Sequence, residues 1–328
     1  MMMWKVMAGR GGRYVQSFTE KQCVAVALDA ETDFTGCRSK DQVLDLVAER
    51  LPALTKRQVS VAASQWWRFL KELQIGDVVL VYEPQTRLYH LGTIAGEARF
   101  TQELVPEHPV IRPVTWKAQL ERDRLSEQTK NSLGAILTIF RLPDAAAKEV
   151  QLVLAGSVEI SLQNELDADV EADPFVGIEE RAIERITDRI NSLNWDEMQL
   201  LVASLLRALG YRTVISPEGP DRGKDIIASR DGFGFERPRI IVEVKHRRGQ
   251  MGSQEIRSFL GGRHADDRGL YVSTGGFTKD ARYEAERAAT VTHLMTLDEL
   301  AKAIVQQYDK LDEDGRRLLP LTKVYWPA

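Results

Sequence analysis

Six consecutive residues, Ile240-Ile241-Val242-Glu243-Val244-Lys245, constrain this chain of 328 residues more than any others. The run is rich in β-branched residues, which suit a pleated, half-buried strand. Side chains two apart on a strand share a face. Ile240, Val242 and Val244 therefore line one face, suited to a core. Glu243 and Lys245 share the other and project into a cleft. A chain with this strand must build a sheet packed on one side that keeps an acid and a lysine together on the other.

The segments around it alternate helix and strand from 178 to 308. Apolar residues at 198, 201, 202, 205, 206 and 209 have helical spacing within 194–209, and Gly210 stops that helix. Strands are predicted at 211–215, 225–228, 240–245, 270–273 and 292–295. One helix runs from Ser253 to Gly261-Gly262, and another starts at Thr278. Thr296-x-x-Glu299 is a capping box that opens a final helix. This order predicts an α/β domain, a mixed sheet flanked by helices.

Residues 4–140 read differently. Short β-type runs recur at 4–7, 23–28, 77–82 and 88–94, the last two joined by the hairpin-length Glu83-Pro84-Gln85-Thr86-Arg87. Two helical patterns lie near 39–51 and 57–73, with Ser39 placed to cap the first. The mixture predicts an α+β unit, mostly a β barrel with inserted helices. Residues 141–190 are acidic and Ala-rich, with weak strand candidates at 150–154 and 158–162 and a linker at 163–175. The expected organisation is a first domain over 1–140, a connector over 141–190, a second domain over 191–310 and a tail over 311–328. The tail is apolar and aromatic, and is expected to dock on its own chain or on a second copy.

Composition narrows the class. No apolar run approaches the roughly 20 residues that span a bilayer, so no membrane partner is expected. Cys23 and Cys37 are the only cysteines, which argues against a disulfide scaffold or a zinc site and for a cytoplasmic setting. The net charge of −4 is unevenly spread. Residues 141–188 carry twelve Asp/Glu against four Lys/Arg, a balance of −8, and residues 221–268 carry eleven Lys/Arg against eight Asp/Glu, a balance of +3. A local basic surface matters more for phosphate contact than the global sum.

Eighteen positions before Glu243 stands Asp225, at the start of a predicted strand. It follows the turn Gly219-Pro220-Asp221-Arg222-Gly223-Lys224, whose glycines and proline let the chain reverse sharply. If the two strands are neighbours, Asp225 and Glu243 can hold one Mg²⁺, with the Val244 carbonyl as a third ligand. Mg²⁺ prefers oxygen ligands and keeps several waters, one of which can act as a nucleophile. Lys245 would orient or deprotonate that water, or neutralise charge on the phosphate. Glu-x-Lys alone is common in ordinary strands. The turn, the spacing and the order of elements are what single this one out.

With these residues assembled, 192–308 resembles the Mrr-type restriction endonuclease domain of the PD-(D/E)xK nuclease superfamily. The likeness runs through Leu205-Leu206-Arg207-Ala208-Leu209-Gly210-Tyr211, the turn into Asp225-Ile226, and Val242-Glu243-Val244-Lys245-His246-Arg247. It continues through Ile256-Arg257-Ser258-Phe259-Leu260-Gly261-Gly262 and Val272-Ser273-Thr274-Gly275-Gly276-Phe277-Thr278. The resemblance implies a restriction-endonuclease-like fold, Mg²⁺ as cofactor with Mn²⁺ able to substitute, and catalytic roles at Asp225, Glu243 and Lys245. Where the family often carries Phe-Glu in its first helix, this chain has Met198-Gln199. Gln199 can hydrogen-bond a metal-bound water but supplies no charge. Glu197 is the nearby alternative, or a first-turn acid that complements the helix dipole.

Lys245-His246-Arg247-Arg248, Arg257 and Arg263 are placed to track a DNA backbone, and Gln254 is either a further phosphate contact or a solvent-facing residue in the first turn of a helix. Thr274-Gly275-Gly276 either meets a phosphate through its amides or simply turns. The N-terminal stretch is similar, more weakly, to the EVE/PUA-type barrels of some restriction proteins. In such barrels aromatics receive a flipped, often modified, base. Trp116 and Trp4 are the pocket candidates here, whereas Trp66-Trp67 lies in a helical pattern that puts at least one in the core.

The expected function is a Mg²⁺-dependent endonuclease of a restriction or defence system. Its partner is double-stranded DNA, modified or foreign, and a homodimer would make double-strand cuts. A structure-directed repair or recombination nuclease, and an inactive DNA-binding protein of the same fold, remain open alternatives.

Overall fold

The computed structural model describes residues 1–134, 137–156, 178–216, 225–232, 235–261, 263–264 and 266–324. The Gly219–Lys224 turn, the 163–175 linker, the 158–162 strand candidate and the tail beyond Val324 lie outside them. The chain divides into two compact units, Met1–Arg181 and Ala182–Ala328.

The first unit contains β1 (Met3–Val6), α1 (Val15–Glu20), β2 (Cys23–Val26), α2 (Lys40–Arg50), α3 (Lys56–Trp67), β3 (Val78–Glu83), β4 (Leu88–Ile94), β5 (Arg99–Phe100), β6 (Val110–Glu121), α4 (Glu127–Leu133), β7 (Ile139–Arg141) and α5 (Asp144–Leu154). Its strands pair in the order β2-β6-β4-β3-β1-β7, with β5 on β6. β1 and β3 are parallel and the remaining pairs antiparallel. Among the described strands this path has two ends, β2 and β7.

Local chemistry sets the helix ends. The Ser39 hydroxyl accepts from Gln42 N, and Thr55 and Gln58 form a reciprocal capping box at α3. Arg112 is wholly buried, yet its guanidinium donates to the carbonyls of Gly96, Phe69 and Leu73, so its polar edge is satisfied. One expectation is corrected. Residues 150–154 form not a strand but the end of α5, because Ala146, Val150 and Val153 fall on one buried helical stripe.

The second unit contains α6 (Ile178–Asn191), α7 (Trp195–Ala208), β8 (Arg212–Ile215), β9 (Ile226–Ser229), β10 (Ile240–Lys245), α8 (Ser253–Leu260), β11 (Arg268–Ser273), α9 (Lys279–Glu286), β12 (Thr292–Thr296), α10 (Leu297–Gln307) and α11 (Glu313–Leu318). Its sheet runs β12-β11-β10-β9-β8. β10, β11 and β12 are parallel, while β9 pairs antiparallel with both β10 and β8. The fold is a mixed α/β sheet with helices on both faces, as the alternation of segments requires.

Strand parity sorts the two faces. Val242, Val244, Leu270 and Val272 pack with Ile226, with Met198, Leu201, Val202 and Leu205 of α7, and with Leu297, Leu300, Ala301 and Ile304 of α10. The α10 positions recur at helical spacing, and each buried Leu or Ile contributes about 1.5–3 kcal/mol. On the opposite face Tyr271 and Leu294 pack with Ile256 and Phe259 of α8 and with Ala281 and Ala285 of α9. Glu243 and Lys245 leave β10 on this second face. Leu318 and Leu319 are buried in the first of these layers, and the Tyr308 hydroxyl donates to the Leu319 carbonyl at 3.0 Å.

Candidate active site

Asp225 and Glu243 meet because β9 ends beside the middle of β10. The Asp225 amide donates to the Val242 carbonyl at 2.9 Å, one step beyond the last ladder pair of β9. Its carboxylate then turns along β10 and accepts the Val244 amide at 2.6 Å, occupying the place of the next rung. Both carboxyl groups are buried, Asp225 at 6% and Glu243 at 7% exposure. Lys245 Nζ stands 2.7 Å from Glu243 Oε1 on the shared face, and its side chain is 35% exposed. Parity and the end of one strand therefore bring Asp225, Glu243 and Lys245 to one place.

The charges in this site are in tension. Burial raises the Glu243 pKa above its ordinary value. The hydrogen bond and charge of Lys245 oppose that rise, the negative charge of Asp225 reinforces it, and the more distant Arg263 weakly opposes it. Arg263 is anchored through its Nε to the Phe259 carbonyl at 2.6 Å, and its guanidinium lies 4.5 Å over the Phe259 ring. Burial lowers its pKa, while Glu243, Asp267 and Asp225 hold it charged.

The donors fit a hard divalent cation. Two buried carboxylates of like sign sit together, and a cation between them offsets their repulsion. Thr274 N–H donates to the Lys245 carbonyl at 3.1 Å, so the peptide groups of Lys245 face β11. Ladder alternation turns those of Val244 toward β9, where its amide meets Asp225 and its carbonyl points past the strand end. Among the described residues no three His, Cys, Asp or Glu side chains cluster as a metal centre. A cation here would thus take two carboxylates and one carbonyl from the chain and keep water elsewhere, as Mg²⁺ does.

The other expected site residues are placed as follows. Gln199 is 2% exposed in α7, the helix packed against the Val242/Val244 face, and its Nε2 has no hydrogen-bond partner. Glu197 makes the reciprocal capping box with Asn194, which is the N-terminal acid reading of that residue. Arg247, Arg248, Gln254 and Arg257 are all exposed on the loop after β10 and on α8. Arg247 pairs with Glu255 at 3.0 Å and Arg257 with Glu284 at 3.1 Å.

His246 is a tether. Its Nε2 lies 2.7 Å from the Leu193 carbonyl, which can only accept, so that nitrogen carries the proton. Thr274-Gly275-Gly276 serves a close approach of backbone. A Cβ on Gly275 would sit 2.0 Å from the Gly249 carbonyl oxygen, and Gly276 has φ 76°. The Met251 amide donates to the Gly276 carbonyl at 2.9 Å, which stitches the loops after β10 and β11 together.

In the first unit Trp116 is half-buried over Gly92, with its indole N–H donated to the Phe18 carbonyl at 3.1 Å. Trp4, expected in a base pocket, is instead a core residue. It is 3% exposed and donates to Asp77 Oδ2 at 3.0 Å, because β1 is an inner strand, paired on both sides by β3 and β7. Trp66 is also in the core. Sequence reasoning missed Tyr271 and Arg263 as neighbours of Glu243. The pairing of β10 with β11 brings Tyr271 there, and the loop after α8 brings Arg263.

Comparison with known proteins finds the following similarities. Residues 190–304 match the family model of the Mrr-type catalytic domain, described as a restriction endonuclease. That segment is a restriction endonuclease domain. Residues 4–143 match a family described as a domain of unknown function (DUF8426). An uncharacterized protein y4cE of Sinorhizobium fredii is 30% identical over 132 residues, 37% of this chain and 34% of that protein. The chain thus spans about a third of that relative's length.

Two solved structures align at low similarity. One is the MspJI restriction endonuclease in complex with a 27-mer oligonucleotide, at 14% identity and a TM-score of 0.32, covering 89% of this chain and 73% of that one. The other is the DNA modification-dependent restriction endonuclease AspBHI, at 15% identity and a TM-score of 0.33, covering 81% and 73%. No helix among the described residues is long and apolar enough to cross a membrane.

Proposed function

We propose that this chain is a Mg²⁺-dependent DNA endonuclease of a restriction system, directed at modified or foreign DNA. The observation that carries the reading is the Asp225 carboxylate bound to the Val244 amide, beside a buried Glu243 that Lys245 touches at 2.7 Å. Asp225, Glu243 and the Val244 carbonyl would hold the cation. Bound there, Mg²⁺ supplies a water of lowered pKa and offsets charge at the scissile phosphate.

The chain's own residues do the rest. Val244 N–H fixes the Asp225 carboxylate in one rotamer. Burial of Glu243 excludes bulk water and strengthens every charge interaction around it. Lys245, the most accessible of the three, leaves Glu243 for a phosphate oxygen and stabilises the charge that develops there. Arg247, Arg248, Gln254 and Arg257 lie on one loop and the helix that follows it, and they would hold the backbone of the duplex. The first unit would choose the DNA, with Trp116 as its candidate stacking surface. One site cuts one strand, so a double-strand break calls for a second copy.

The test is cleavage of modified and unmodified plasmids by the purified protein, in Mg²⁺ or EDTA, beside Lys245→Ala. The reading expects cutting of modified plasmid in Mg²⁺, lost with EDTA and with Lys245→Ala. Cutting of branched DNA regardless of modification would favour a repair nuclease. Binding without cutting in every divalent cation would favour an inactive DNA-binding protein.

A further inference from the structure

Tyr271 of β11 pairs with Glu243 of β10 in the parallel ladder, so both side chains leave the sheet on the same face. Its ring is wholly buried. Phe259 meets it edge-on with centroids 5.1 Å apart, and Phe277 does so at 5.8 Å. A phenylalanine would fill this aromatic socket equally well. The hydroxyl is the ring's one polar atom, and it has no hydrogen-bond partner. A buried hydroxyl left without a partner is a standing cost to the fold, and such groups mark places where a water, an ion or a ligand belongs.

The surroundings say which. Its ladder partner Glu243 is a buried carboxylate on the same face. A phenol with its ordinary pKa of about 10 holds its proton at neutral pH, and beside carboxylates it is a donor. Glu243 Oε1 is already taken by Lys245. A cation held by two carboxylates and one carbonyl retains waters, and such waters are oriented by donors and acceptors outside the coordination shell.

We propose that Tyr271 is a positioning residue of the cleavage site, whose hydroxyl fixes a water at Glu243 that belongs to the cation's hydration shell when the site is loaded. The inference rests on the cation-dependent reading above and adds a residue to it. It requires that the hydroxyl burden the cation-free protein and serve the loaded one, an opposition that a purely structural tyrosine would not show.

Tyr271→Phe in the full chain tests it with three readouts. In EDTA the variant melts higher than wild type by about 2–4 °C, the shift expected in a unit of this size when one unsatisfied polar group is removed. Calorimetric titration with Mn²⁺ gives a dissociation constant about tenfold weaker, the size of effect typical of a lost outer-shell partner. Turnover at saturating Mn²⁺ falls by about the same factor while the KM for DNA is unchanged. A variant that binds Mn²⁺ and cleaves like wild type overturns the role of Tyr271 alone, as does one that melts lower in EDTA. A wild type that neither binds Mn²⁺ nor cleaves overturns the cation-dependent reading and the role of Tyr271 with it.

Discussion

Replacing Asp225 in two ways separates what its shape does from what its charge does. The carboxylate accepts the buried Val244 amide at 2.6 Å. Asp225→Ala removes that acceptor and orphans the amide, which costs about 1–3 kcal/mol. In a unit of this size each kcal/mol lowers the melting temperature by about 2–4 °C. Asp225→Asn keeps an oxygen for the same amide and removes only the charge. Because Asp225 raises the proton affinity of Glu243, the Asn variant also relieves repulsion between buried like charges. Its melting temperature in EDTA should therefore equal or exceed that of wild type. Its cleavage should fall on the order of 10²–10³-fold, the scale for loss of one preorganised charge-stabilising group. Paired thermal melts and plasmid nicking in Mg²⁺ read both effects. An Asn variant that cuts within tenfold of wild type refutes the charge argument. An Ala variant as stable as the Asn variant refutes the hydrogen-bond argument.

Gly275→Ala should perturb the loops around Lys245, because its Cβ would meet the Gly249 carbonyl oxygen at 2.0 Å and neither backbone can yield cheaply; a drop of about 2 kcal/mol or more in urea unfolding checks this, against the 1–3 kcal/mol usual for overpacking. Burial pushes the Asp312 carboxyl up, but the hydrogen bonds it accepts from Arg207, Ser204 and the Gly315 amide outweigh that and bring its pKa from 3.8 down to about 2. A depressed carboxylate stabilises the fold above its unfolded pKa and loses that contribution as pH falls through the folded one. The shift corresponds to about 2.5 kcal/mol, which solvent screening reduces to about 1 kcal/mol because the side chain is 36% exposed. The stability gap between wild type and Asp312→Ala should thus be full at pH 5 and close between pH 4 and 2, as urea titrations at each pH would show. Glu255→Gln removes the carboxylate that holds Arg247 while leaving an oxygen for the Gly252 amide; it should tighten DNA binding a few-fold at low salt and steepen the salt dependence, as measured by fluorescence anisotropy.

Much of the second unit is legible in its sequence, because its helices carry their own end signals. Asn194 with Glu197, Thr278 before Ala281 and Thr296 with Glu299 all cap as their residue types demand. The same holds for the charged pair on β10, since parity is a local property. Arg263 and Tyr271 are not legible, because strand register and loop return bring them to Glu243 from outside its own segment. A tyrosine inside Gly269-Leu270-Tyr271-Val272 reads as core, and it is core; only its partnerless hydroxyl marks it as more. In the first unit, the Trp4 indole reads as an available aromatic until the pairing of β1 with both β3 and β7 is known. Residues 150–154 read as a strand because two β-branched valines outweigh, over so short a window, the helical stripe that begins at Ala146.

The account stands on one cation held jointly by Asp225 and Glu243. Anomalous diffraction at the manganese edge from crystals soaked in Mn²⁺ tests it most directly. The expected result is one strong peak in each copy, within about 2.0–2.3 Å of a carboxylate oxygen of each residue, the range of hard-cation oxygen contacts, and lost in Asp225→Asn. A density map with no peak there, or with manganese bound only elsewhere, would contradict it.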